Sequence, residues 1–94
     1  MHFEWDEDKN KQLKINRAVC FEDVFIAISE ERILDIFPHH NPEKYPNQKI
    51  FIVQIRDYVY YVPFVEDAEK IFLKNIIPSR KYHKKYSEGV KHDR

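Results

Sequence analysis

The sequence predicts an α+β fold, an antiparallel β-meander with two N-terminal helices and a short C-terminal helix. Three observations carry that expectation. Phe21, Val24, Phe25 and Ile28 recur at spacings of three and four, the period of a helix that buries one face. After a proline-rich loop come three β-rich runs, KIFIVQI (49–55), YVYYVPF (58–64) and KIFLKNII (70–77), separated by gaps short enough for hairpins. The resulting order, β-α-α-β-β-β-β-α, keeps four strands in one uninterrupted run instead of alternating them with helices, which segregates the layers. Ninety-four residues support one core and so one domain, residues 1–94.

Each element follows from local chemistry. Met1 to Trp5 reads as an edge strand. Asp6 then offers an N-cap, and Glu7 and Asp8 place negative charge at the positive end of a helix spanning about residues 7–16. A second helix, about 22–30, packs Phe21, Val24, Phe25 and Ile28 on the sheet. Ile33, Leu34, Ile36 and Phe37 form a strand that stops at Pro38. The segment PHHNPEKYPNQ (38–48), with three prolines, is a loop. Arg56-Asp57 makes a tight turn without the usual glycine. Pro63 costs its strand a ladder donor and implies an edge or a bulge. Pro78 ends the last strand, and Ser79 caps a helix that begins near Arg80.

Composition narrows the function classes. Sixteen Lys and Arg balance sixteen Asp and Glu. Residues 1–47 nevertheless hold six bases and ten acids, and residues 48–94 hold ten bases and six acids. From Lys70 to Lys85 there are six Lys or Arg and no acid. Such a run is either a solvated helix face or the footprint of an anionic partner. Cys20 is alone, so no disulfide framework forms, and the spacings of zinc sites are missing. His39-His40 without a third ligand is a weak metal signal, and no metal or other cofactor is expected. An acidic N-terminus replaces a signal peptide and no apolar run reaches membrane-spanning length, so a cytoplasmic protein without a membrane partner is expected.

The segment IIPSRKYHKKY (76–86) leaves a core strand and opens a helix, so its cations and the helix N-terminal amides can converge on one phosphate. Its context extends the pattern. FEWDEDK (3–9) followed by AVCFEDV (18–24) resembles the N-terminal signature of BrnT-type toxins, W-D-x-x-K and then x-x-H-G-V-S-F-E-D-A. The sixteen-residue step from Trp5 to Phe21 is the same. KIFIVQI and IIPSRK are similar to the family's R-F-x-x-I-G strand and its closing I-I-S-A-R-[RK]. The resemblance covers residues 3–86. It departs where the family's histidine falls on Arg17 and its glycine on Ala18, and where YSEGVKHDR stands for a closing E-R-R-x-Y.

The resemblance implies a RelE-like ribonuclease fold and the toxin of a type II toxin–antitoxin pair. Such a toxin cleaves RNA without a metal, inhibits translation, and is neutralised by a ribbon-helix-helix, BrnA-like DNA-binding antitoxin in a hetero-oligomer. Metal-free RNA cleavage uses the adjacent 2′-hydroxyl as nucleophile, so the protein must orient the phosphate, offset its growing charge and move protons. Arg80 matches the family's arginine, and its planar fork can clamp a phosphate. Lys81 follows it. Lys49 falls on the strand arginine and would act as a point charge. His83, one turn after Arg80, carries an imidazole, the side chain most used for acid–base work, although the family pattern has no histidine there. These four are the catalytic candidates. Trp5, Lys9, Arg56, Lys84 and Lys85 are the RNA-binding candidates, Trp5 by stacking on a base or else as core. Tyr58, Tyr60 and Tyr61 read first as sheet packing. The alternative function is a non-catalytic module that uses the same basic edge to bind nucleic acid or a protein.

Overall fold

A computed structural model describes residues 2–92. It is mixed α+β, with three helices and six strands among the described residues. In chain order these are β1 (His2–Glu4), α1 (Glu7–Arg17), α2 (Phe21–Ser29), β2 (Ile33–Pro38), β3 (Gln48–Ile55), β4 (Tyr58–Glu66), β5 (Lys70–Leu73), β6 (Ile77–Pro78) and α3 (Arg80–His92). The sheet runs β1-β5-β4-β3-β2, with β6 also on β4. β2 through β5 form the antiparallel meander, and β1 lies parallel to β5 at one edge.

Period-two alternation along β3 sorts its side chains between two faces. Phe51, Val53 and Ile55 join Leu13 of α1 and Phe21, Val24 and Ala27 of α2 in the main core. Ile52 is fully buried on the opposite face. There α3 lies, since Asp35 and Phe37, opposite Ile52 and Ile50, meet its Tyr86 and Tyr82. Asp6 caps α1 by accepting the Lys9 N–H at 2.9 Å. Asn10, fully buried, bridges the two N-terminal helices: its Oδ1 accepts the Phe21 N–H at 2.7 Å and its Nδ2 donates to Glu22 at 2.8 Å.

Four details depart from expectation. The run 70–77 is two strands, not one, because Leu73 and Ile76 both enter the main core. Residues three apart on a straight strand face opposite ways, so burying both breaks the ladder between them. Pro63 lies in an interior strand, neither at an edge nor at a bulge. Its carbonyl accepts the Lys74 N–H at 2.9 Å, a pairing in which another residue would return its own N–H to Lys74, so the missing donor falls where the β4–β5 ladder ends. Phe25 is 46% exposed, not buried with its α2 neighbours, and packs edge-on against Phe3. The C-terminal helix, expected to be short, runs over Arg80–His92.

One glycine serves the whole chain, so other residues take left-handed backbone at the corners. These are Ala18 (φ 56°), Glu31 (φ 59°) and Arg56 (φ 56°). Ala18 ends α1, and Arg56, not Asp57, takes the positive φ of the β3–β4 turn.

Candidate functional site

Ser79 starts α3 with its hydroxyl accepting the Tyr82 N–H at 3.2 Å and its carbonyl accepting that of His83 at 2.9 Å. The cap fixes the direction in which each basic side chain leaves the helix. Tyr82 packs on Phe37, with ring centroids 5.8 Å apart, toward the β2–β3 loop. His83 stacks on Tyr58 at 4.2 Å and 17°, at the β3–β4 hairpin. The 100° step of a helix therefore divides the cations between two flanks. Lys81 and Lys85 stand beside Tyr82 and Tyr86, each ammonium 5.5 Å from its ring centroid. Arg80 and Lys84 flank His83. All four are exposed, and none has an ion-pair partner among residues 2–87, the residues whose side chains are described. The Nδ1 of His83 is buried without a hydrogen-bond partner among those residues, which leaves Nε2 for any exchange of protons.

The other sequence-derived residues are dispersed. Lys49 lies opposite Phe64, while the segment entering α3 lies opposite Tyr60, a separation of about 13 Å along the strand. Its ammonium is held by Glu66 at 2.7 Å. The guanidinium of Arg56 donates to the Ala18 carbonyl and faces Asp23 at 3.6 Å, tying the hairpin to the α1–α2 corner. Trp5 has one ring face on Phe21, at 5.7 Å and 26°, and its N–H donates to Glu7. Lys9 is half-buried on α1, on the far side of the sheet from α3. Arg17, where the similar motif has histidine, donates to the Ile76 carbonyl and to Asn75 and so clamps α1 to the β5–β6 break.

No protein-family model, curated protein or solved structure matches the chain.

A feature that the motifs do not mark lies on the α3-bearing face. His39, His40, Lys49, Tyr61, Lys74 and Asn75 line an open cleft of about 380 Å³ between the β2–β3 loop and the β5–β6 break. Its lining contains no acid. His39 is pinned within the loop: its Nδ1 accepts the Asn41 N–H at 3.0 Å, and its ring lies between His40 at 4.2 Å and Tyr45 at 4.5 Å. Partial loss of water, and then the neighbouring charge of His40, push the His39 imidazole below its ordinary range. With Nδ1 accepting, the neutral ring carries its proton on Nε2. Among the described residues no three His, Cys, Asp or Glu side chains converge as ligands of a metal ion would. The signal available for this cleft was the HH pair inside the proline-rich loop. Lys74 stood only within the basic run, and Tyr61 only as a stacking face weighed against sheet packing, because the β5–β6 break that brings them to the loop is a tertiary event.

Proposed function

We propose that this chain is the toxin of a type II toxin–antitoxin pair, a cytoplasmic endoribonuclease of RelE-like fold that cleaves RNA without a metal and so inhibits translation. One observation carries the reading. A capped helix exposes Arg80, Lys81, Lys84 and Lys85 around a histidine wedged on Tyr58, in a stretch of sequence with no acid from Lys70 to Ser87. A polyanion is the ligand that such a surface attracts. In this reading Arg80 takes the non-bridging oxygens of the scissile phosphate, and His83 exchanges a proton through Nε2 with the 2′-hydroxyl or the leaving oxygen. Lys81, Lys84 and Lys85 hold flanking phosphates.

The resemblance to BrnT-type toxins gains a physical rationale at one position. Where that pattern has glycine, Ala18 is held at φ 56°, ψ 31°, the left-handed conformation for which glycine is used. A ribbon-helix-helix antitoxin would mask the cations. Lys49 and Arg56 already have internal carboxylate partners, so its acidic groups would meet α3 and not those two.

The test is induction of the chain in a bacterial host, alone and together with the adjacent gene, followed by growth and transcript length. Purified protein is then incubated with a defined RNA in chelator. Growth arrest, shortened transcripts and rescue by the neighbour are expected. RNA that is bound but left intact makes the protein a non-catalytic binding module, and normal growth with intact, unbound RNA at high expression removes the reading altogether.

A further inference from the structure

We propose that the cleft beside the β2–β3 loop seats one nucleotide of single-stranded RNA, its base stacked on the outer face of His40 and its phosphate met by Lys74. The proposal rests on the RNA-directed reading above and adds a contact that the motifs do not contain.

The stack comes first. His39 and His40 stack at 4.2 Å and 28°, backed by Tyr45, whose ring lies tilted by 47° against His39 at 4.5 Å. The stack ends on His40, which is exposed and sits on the cleft wall. A planar base prolongs such a column, and an unpaired base is the one with a face to offer. The loop is organised before any ligand arrives. The Asn41 N–H fixes His39, the Asn41 side chain accepts the Lys44 N–H at 3.4 Å, and the Asn41 carbonyl accepts the Tyr45 N–H at 3.0 Å. Little ordering is then left to be done on binding.

Charge selects this cleft over its neighbours. A second, of about 360 Å³, is lined by Glu66 and Asp67, and a third, of about 330 Å³, by Glu4, Asp67 and Glu69. Carboxylates there repel a phosphate. The His39–His40 cleft has no acid in its lining, and Lys74 has no ion-pair partner among the described residues. Lys49, already on Glu66, contributes less. The neutral His39 supplies an N–H donor rather than a second cation. The flank of α3 that carries Lys81 and Lys85 lies toward Phe37, two residues before His39, so a strand leaving the cleft meets further cations.

The experiment measures binding apart from cleavage. A labelled 2′-O-methyl hexanucleotide, which lacks the hydroxyl nucleophile, is titrated with the full chain by fluorescence anisotropy. His40→Ala should loosen it about 5- to 150-fold, the range for losing one base–aromatic stack. His40→Phe should keep the wild-type affinity, because the ring face remains. Lys74→Ala should weaken binding and lower the salt slope by about 0.7. Lys11→Ala on α1 should change neither. In the wild type, proton resonances of both loop histidines should move upfield on titration. Tight wild-type binding that His40→Ala leaves unchanged, or silent loop histidines, would overturn the cleft and spare the RNA-directed reading. Absence of wild-type binding overturns both.

Discussion

Asn10→Asp swaps one amide nitrogen for an oxygen at a side chain only 1% exposed, and the structure sets how much that costs. The Phe21 N–H keeps its acceptor, so the first residue of α2 stays anchored to α1. The other oxygen, however, replaces the nitrogen that donates to Glu22 at 2.8 Å. Losing a hydrogen bond to a charged group costs about 1.5–3 kcal/mol. Two carboxylates in contact add about 1 kcal/mol, since Glu22 is open to solvent and screened. A loss of about 3 kcal/mol lowers the Tm of a domain this size by roughly 12–24 °C at pH 7. The pH dependence supplies the sharper test. In the wild type the Asn10 amide holds the Glu22 carboxyl below its usual range, so its contribution is present above the unfolded pKa and is lost as pH falls through the folded one. In the variant the two carboxyls share a proton, the folded pKa rises, and the sign inverts: the missing stability returns as pH falls. Melting by circular dichroism from pH 7 to pH 4 should show the gap between the two proteins closing. A deficit under about 3 °C at pH 7, or a gap that does not narrow, would refute the bridge.

Three further outcomes are expected. Ala18→Gly relieves a left-handed alanine, which costs about 1–2 kcal/mol, against about 0.5–1 kcal/mol of extra chain entropy for glycine; the Tm should rise by a few degrees, and a fall would show that the corner is not strained. Arg56→Gln should lower stability by about 1–2 kcal/mol through the lost Ala18 and Asp23 contacts while leaving RNA affinity within about twofold, and a large affinity loss at unchanged stability would return Arg56 to the RNA surface. Arg80→Lys keeps the charge but loses the fork and should slow cleavage of a defined RNA about tenfold or more, whereas Lys84→Ala should only weaken binding. Equal small losses for both would mean that α3 attracts RNA without stabilising a transition state.

Local chemistry made most of the fold legible. The Asp6 cap, the 3-and-4 spacing of α2, the β3–β4 hairpin runs and Ser79 are all cues that act within a few residues, and these elements formed where the cues placed them. What stayed hidden depends on contacts between distant segments. Nothing in KIFLKNII says that Leu73 and Ile76 must share a side, and that requirement splits the strand and opens the cleft. Phe25 fits the helical period, but the face of α2 that meets the sheet is narrower than its four apolar positions. The basic run was visible as composition. Its division into two flanks needed the positions of Phe37 and Tyr58, one on either side of the helix.

The parallel pairing of β1 with β5 has a consequence for how the chain assembles. His2, Phe3 and Glu4 find partners only at Lys70, Ile71 and Phe72, about three quarters of the chain away. On a ribosome adding about 5–20 residues per second, the first strand waits roughly 4–14 s before the last of its partners has been made. Meanwhile the meander, whose strands are sequence neighbours, can zip hairpin by hairpin, because short loops close with the least entropy. Docking of the N-terminus is then a late step of assembly, and its reversal is an inexpensive opening of the native sheet, confined to one three-residue edge strand. Amide exchange in β1 should accordingly be faster than in the meander strands β3 and β4.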